Sequence, residues 1–255
     1  MSYEFVRCEQ QAGILHITLN RSECLNALHA PAHTELASVF DDFERDPSLR
    51  VAILSGHGSA FCAGNDLKWQ ANGGSMERPP TGFAGLTLRH HRTKPVIAAV
   101  NGVALGGGCE IVLAADLAVA GASAKFGLTE TRYGLVPLAG MHLLPRRIGL
   151  KQAYFLLLTG RVVGAEQAVT LGLINEVVAD EHVLARALEI AQWIVDASPS
   201  AIKACMQIVG ESLTHQDIEE ATSAPYPALG VLRASHDFLE GPKAFAEKRK
   251  PEWKL

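Results

Sequence analysis

The residues of this chain best suited to chemistry are a glycine run that ends in a glutamate and a second glycine turn that precedes it. Gly106, Gly107 and Gly108 lead into Cys109 and Glu110. Before them lies a short apolar run, Val96 to Val100, of a length that suits a buried strand. After them Ile111 to Ala115 reads as an apolar helix, so the glycines fall at a strand-to-helix turn. A backbone without side chains lets another molecule approach closely. The first N–H groups of a helix lack intrahelical partners and sit at the positive end of its dipole. Such donors stabilise an anion, including an oxyanion that exists only during a reaction. Between Cys109 and Ile111 the Glu110 carboxyl is expected to be partly desolvated, as suits acid–base work.

Glycines at a tight turn and a glutamate complementing a helix dipole also have a plainer, structural use. The second turn weighs against it. Ala60-Phe61-Cys62-Ala63-Gly64-Asn65-Asp66-Leu67 follows another apolar strand, Val51 to Leu54, and precedes a short helix. An oxyanion hole needs two donors from separate segments, and the chain offers two.

The elements that would carry these turns alternate. Residues 3–9 and 13–19 read as a hairpin around Gln11-Ala12-Gly13. Leu15, Ile17 and Leu19 alternate with Ile14, His16 and Thr18. Pro31 opens a helix whose apolar stripe is Leu36, Val39, Phe40 and Phe43, and Asp46-Pro47 ends it. Residues 72–82, rich in Gly and Pro, read as a mobile loop near a site. A helix is expected over 83–92, strands at 116–120 and 174–178, and helices near 139–148, 150–159 and 164–170. From Asp180 the pattern is all helical. Val183, Ala187, Ile190 and Ile194 mark one helix, and Ser198-Pro199 starts the next. Thr214 with Asp217 resembles a capping box opening a third, which Pro225 and Pro227 interrupt. The reading is an α/β core over residues 1–196 and a helical region over 197–255 that packs on the core or on another subunit.

Composition narrows the function. The chain has 255 residues, 48% hydrophobic and 20% charged, with a net charge of −4. That balance gives no electrostatic reason to expect nucleic acid or an anionic membrane. The five cysteines are odd in number, and no pair has Cys-x-x-Cys spacing. They read as reduced thiols of a cytoplasmic protein. The N-terminus has neither the basic nor the apolar region of a secretory signal, and no apolar run reaches the ~20 residues of a membrane span.

The Phe61-to-Leu67 stretch, Lys94-Pro95-Val96-Ile97-Ala98-Ala99-Val100-Asn101-Gly102 and Gly106-Gly107-Gly108-Cys109-Glu110 together resemble the enoyl-CoA hydratase/isomerase (crotonase) superfamily. The resemblance runs over nearly the whole chain and ends in Glu240-Gly241-Pro242-Lys243-Ala244-Phe245-Ala246-Glu247-Lys248-Arg249. It implies an α/β spiral of strand–strand–helix turns with a helical C-terminal trimerisation region, assembled as a homotrimer or a hexamer of two trimers. It also implies an acyl-CoA thioester as substrate, with coenzyme A belonging to the substrate and no metal or redox cofactor. The oxyanion donors then fall on the backbone N–H groups of Asn65 and Gly107. The catalytic pair falls on Glu110 and Glu130, the latter within Phe126-Gly127-Leu128-Thr129-Glu130-Thr131. Two carboxyls around one water divide acid and base roles, because close carboxyls split their pKa values.

The resemblance places CoA and substrate binding at Ala27, Ala63, Asp66, Leu67, Lys68, Phe245 and Lys248, and an acyl pocket at Leu138, Met141 and His142. Asp66 is also expected to cap the short helix after it. Many hydratases carry Gly-x-Gly-Gly after the proline that matches Pro137. This chain has Leu138-Ala139-Gly140-Met141-His142, so only Gly140 matches. Gly82-Phe83-Ala84-Gly85-Leu86-Thr87 and Lys250-Pro251-Glu252-Trp253-Lys254 resemble carnitinyl-CoA dehydratases of the same superfamily. Arg89-His90-His91-Arg92 reads as a solvated helix surface, since adjacent histidines on a helix diverge by about 100°. The expected activity is reversible hydration of a 2-enoyl-CoA. Dehydration of carnitinyl-CoA, double-bond isomerisation and thioester hydrolysis are the alternatives, followed by a non-catalytic or RNA-binding role on the same fold.

Overall fold

The computed structural model describes residues 3–254. Its strands are β1 (Val6–Gln11), β2 (Ile14–Leu19), β3 (Val51–Gly56), β4 (Ala60–Cys62), β5 (Val96–Val100), β6 (Val103–Leu105), β7 (Leu117–Gly121), β8 (Lys125–Gly127), β9 (Val163–Gly164) and β10 (Glu176–Val178). Its helices are α1 (Ala30–Arg45), α2 (Leu67–Ala71), α3 (Gly107–Ala114), α4 (Gly140–Arg147), α5 (Leu150–Thr159), α6 (Ala165–Leu171), α7 (Val183–Asp196), α8 (Pro199–Ser212), α9 (Ile218–Ser223), α10 (Pro227–Arg233) and α11 (His236–Ala246).

One sheet has the order β1-β2-β3-β5-β7-β10 and the other β4-β6-β8-β9. The β1–β2 hairpin is antiparallel, and from β2 onward the larger sheet is parallel. The pairs β3–β4, β5–β6 and β7–β8 each place one strand in either sheet, so the chain winds as a spiral of strand–strand–helix turns. The loop before α2 and the β6–α3 turn therefore come side by side.

The centre of the larger sheet is apolar on both faces, as a covered parallel sheet requires. Ala52, Leu54, Val96, Ala98 and Val100 point into the main core with Phe40, Phe43 and Phe61. The alternate residues Val51, Ile53, Ile97 and Ala99 meet Val183, Ala187 and Ala191 of α7 on the other face. Each fully buried Val, Ile or Leu contributes about 1.5–3 kcal/mol, and a one-residue register slip would reverse both faces.

The N-terminal hairpin is held from below by Glu35 of α1. Its carboxylate accepts the N–H groups of Glu4, Phe5 and Val6 at 2.8, 2.7 and 2.9 Å. Glu35→Ala should lower stability by about 1–3 kcal/mol in chemical denaturation, because three donors lose one acceptor. An unchanged midpoint would show that water replaces the carboxylate without cost.

The expected helix over 83–92 is absent. Phe83–Gly85 makes a single 3-10 turn, and Ala84 and Gly85 have positive φ angles of 54° and 63°. Close packing explains this: a Cβ on Gly85 would lie 2.4 Å from Cα of Ala37 on α1. Arg89 and Arg92 are consequently anchors rather than a helix surface. They pair with Asp41 at 2.7 Å and Asp116 at 3.1 Å. The third C-terminal helix is capped by Asp217 alone, which accepts the Glu220 N–H at 2.7 Å. Thr214 instead donates to the Glu211 carbonyl. Among the described residues no helix is long and apolar enough to cross a membrane, and all five cysteines are free.

Candidate active site

The backbone ties the first glycine turn to the chain at Leu28. The Leu28 N–H donates to the Gly64 carbonyl at 2.8 Å, and the Asp66 N–H donates to the Leu28 carbonyl at 2.9 Å. This bridge fixes Asn65 between them and leaves its own N–H without a backbone acceptor among the described residues. On the other segment the Gly106 N–H donates to the Gly127 carbonyl at 2.8 Å. Gly106 has φ +53° and turns the chain into α3, where the Gly107 N–H likewise finds no backbone acceptor.

Glycine is required here by contact as well as by angle. Gly64 has φ +95°, and a Cβ on it would lie 2.6 Å from the Leu105 carbonyl oxygen and 3.1 Å from the Gly107 nitrogen. A Cβ on Gly108 would lie 2.0 Å from the Cys62 carbonyl oxygen. Gly64 thus packs against the Gly107 nitrogen, and side chains are excluded from between the two segments.

Glu110 lies in the buried α3, 3% exposed. Its Oε1 accepts the N–H groups of Ala139 and Gly140, each at 2.8 Å. Those donors open α4, so the Ala139-Gly140 turn sets the orientation of the carboxyl. Among the described residues its Oε2 makes no hydrogen bond. Glu130 begins the short turn Glu130–Tyr133, and its buried Oε2 has no partner. Burial pushes the Glu130 pKa up to about 7, and the Glu110 charge adds to the rise, while Arg78 opposes it. A buried carboxyl oxygen without a partner costs stability, which marks a site organised for a ligand or a reaction.

Both glutamates, Asn65 and Gly107 line one cavity of about 610 Å³. Ala63, Leu67 and Leu138, expected to bind CoA or the acyl group, line it too. The other expected binding residues lie elsewhere. Met141 and His142 are exposed on α4 and do not line the cavity, because the helix turns them away from the wall that holds Leu138. The Ala27 carbonyl accepts from the Arg21 guanidinium. Asp66 caps α2 through the Trp69 N–H at 3.0 Å and pairs with Arg21 at 3.1 Å. Lys68 is exposed on α2, and Phe245 and Lys248 are exposed in and just after α11. Within one chain none of these five, Ala27, Asp66, Lys68, Phe245 and Lys248, lines the cavity.

The sequence reading missed Met76 and Arg78 in the 72–82 loop, and Phe83, Leu105, Tyr133, Leu135 and Val136. A lone arginine among loop residues was the available signal. Phe83 was hidden by the mistaken helix. Its ring packs where a Cβ on Gly107 would fall, at 2.4–2.6 Å, and against His33 at 4.4 Å between centroids. His33 accepts the Ala84 N–H at 3.1 Å, and burial pushes its pKa down to about 3, so it supports the turn as a neutral ring. Among the described residues no group of three His, Cys, Asp or Glu side chains could hold a metal ion.

Residues 9–255 match the family described as enoyl-CoA hydratase/isomerase. The chain belongs to this family, the crotonase superfamily of enzymes. The carnitinyl-CoA dehydratase of Escherichia coli K12 is 42% identical over 261 residues, covering 98% of each chain. That of Citrobacter koseri is 43% identical with the same coverage. The crystal structure of enoyl-CoA hydratase from Mycobacterium tuberculosis H37Rv superposes with a TM-score of 0.91 at 39% identity, covering 98% of both chains. A probable enoyl-CoA hydratase/isomerase from Mycobacterium abscessus gives 0.90 at 42% identity, covering 99% of both. These crotonase-family structures share the α/β spiral described above.

Proposed function

We propose that this crotonase-family protein is an enoyl-CoA hydratase that adds water reversibly across the 2,3 double bond of an acyl-CoA thioester. The observation that carries the reading is the pairing of Glu110, oriented by two N–H donors, with the unpartnered Glu130 in a cavity that also presents two free backbone donors. The thioester carbonyl accepts from the Asn65 and Gly107 N–H groups. Glu110 takes a proton from water, and the hydroxide oxygen bonds to C3. The C2=C3 electrons move toward the carbonyl, where the enolate oxygen gains the two hydrogen bonds at full strength. Glu130, with a pKa raised to about 7, gives its proton to C2. Water's oxygen ends on C3, one hydrogen ends on C2, and the pair retains one proton throughout. Coenzyme A enters only as part of the substrate, and no metal or redox cofactor has a step to perform.

The relatives named carnitinyl-CoA dehydratase favour a second reading, in which the same pair removes water from a 3-hydroxyacyl thioester. The decisive assay is loss of the conjugated thioester's ultraviolet absorbance with 2-enoyl-CoA esters of several chain lengths. Rapid loss supports hydration; no loss with any ester, despite acyl-CoA binding by calorimetry, defeats it.

Because the pair must hold one proton in either direction, kcat/KM should fall tenfold per pH unit above about 7, where Glu130 loses its proton. Hydration and dehydration should share that limb. A flat profile from pH 6 to 9 would remove Glu130 as the proton donor.

We assign residues 197–255 to assembly as a trimer or a pair of trimers in the cytoplasm. Support comes from apolar side chains exposed on the helices after α7, among them Val209, Leu213, Ile218, Val231 and Leu239.

A further inference from the structure

The cavity contains a cation that the hydration chemistry does not use. Arg78 lines it from the 72–82 loop and is half-buried. Its guanidinium carbon lies 5.2 Å from the centroid of Phe83, the ring that packs beside Gly107. Three other arginines lie over aromatic rings: Arg21, Arg89 and Arg186. Each of those also holds a carboxylate, Asp66 at 3.1 Å, Asp41 at 2.7 Å and Glu176 at 2.7 Å. Arg78 forms no ion pair among the described residues.

No carboxylate around the cavity makes an ion pair with Arg78, although its charge is felt at Glu130. Met76, Leu105, Leu135 and Val136 are apolar. Glu110 is engaged by the Ala139 and Gly140 N–H groups. Burial holds the proton on Glu130 up to about pH 7. A guanidinium offers five N–H donors in a planar fork that matches a carboxylate. Half-buried on the Phe83 ring and without an ion pair, the Arg78 fork is left free to meet an anion on the substrate.

We propose that Arg78 selects thioesters whose acyl group ends in a free carboxylate. The proposal rests on the hydratase reading and narrows its substrate class to 2-enoyl-CoA esters of dicarboxylic acids. A terminal carboxylate supplies the counter-ion through charge-assisted hydrogen bonds. A trimethylammonium end, which a carnitinyl thioester carries, brings like charge to the same place and is rejected.

The test compares three 2-enoyl-CoA esters of equal length, ending in methyl, carboxylate or trimethylammonium. kcat/KM is measured for the wild type, Arg78→Gln and Arg78→Lys. Saturated counterparts, which cannot be hydrated, are titrated by calorimetry against the same proteins. The wild type should prefer the carboxylate ester over the methyl ester by about ten- to a hundredfold, with the trimethylammonium ester last. Arg78→Gln should bring the carboxylate-to-methyl ratio near one. Arg78→Lys should keep part of it, because an ammonium has the charge without the fork. An unchanged ratio in Arg78→Gln overturns the proposal, as does an equal loss for all three esters. A wild-type preference for trimethylammonium overturns it as well. The two measurements separate selectivity from reaction. Carboxylate-selective binding without hydration of any ester sinks the hydratase reading and keeps the role of Arg78, whereas hydration without selectivity does the reverse.

Discussion

Glu110→Gln and Glu130→Gln should each lower kcat by about a hundred- to ten-thousandfold, with acyl-CoA affinity changed only a few-fold. An amide at position 110 has no carboxylate oxygen to take the proton from water. It can still meet the Ala139 and Gly140 donors through its carbonyl oxygen, so the fold around it survives. An amide at position 130 has no acidic proton for C2. Steady-state kinetics with a 2-enoyl-CoA and calorimetry with a saturated acyl-CoA read the two quantities separately. Full turnover in either variant would defeat the two-glutamate assignment.

The Glu130 variant also carries a stability signature with a definite sign. Its carboxyl pKa is raised from an ordinary 4.5 to about 7, chiefly by burial. The fold therefore favours the protonated form. That contribution is complete below about 4.5 and is lost as pH rises through about 7. Above that pH the ionised carboxylate burdens the fold, and Gln removes the burden. Glu130→Gln should then exceed the wild type in stability at pH 8 by roughly 1 kcal/mol, a figure reduced for partial solvent access. The advantage should disappear at pH 5. Equal denaturation midpoints at both pH values would contradict the buried, protonated state.

Gly64→Ala should cost about a hundred- to a thousandfold in kcat, the loss expected when one oxyanion donor is misplaced. At φ +95° the new methyl is strained, and it arrives 2.6 Å from the Leu105 carbonyl oxygen and 3.1 Å from the Gly107 nitrogen. The Gly64 and Gly107 segments must separate to admit it. The control is Gly73→Ala, which has φ +77° and meets nothing within 4 Å. It should lose stability, about 1–3 kcal/mol at most, while kcat holds. If both variants lost kcat alike, backbone strain rather than donor spacing would be the cause.

How much of this was legible depends on the range of the interaction. The buried strands Val51–Gly56 and Val96–Val100 could be read from short apolar runs, and α1 from its three-and-four spacing. Asp66 was readable as a cap because capping is local. The apparent helix over 83–92 was not, because it fails on a contact between Gly85 and Ala37 of another element. Met141 and His142 were placed with Leu138 by the resemblance, yet Leu138 precedes α4 and lines the cavity while both others are exposed on that helix. Arg78 looked like one more loop cation until Phe83 and the cavity wall stood beside it.

The sequence by itself determined the periodic elements, the two glycine turns and the types of the two acidic groups, since these follow from local backbone freedom and side-chain chemistry. Only the tertiary structure decided that the Gly64 turn packs against Gly107 and that the Asn65 and Gly107 N–H groups find no backbone acceptor among the described residues. It also decided that Glu110 is oriented by the Ala139-Gly140 turn while Glu130 keeps an oxygen unpartnered. Those properties depend on which distant backbone donors and apolar walls surround a group, and burial and hydrogen-bond partners are set by packing between elements rather than by neighbours along the chain.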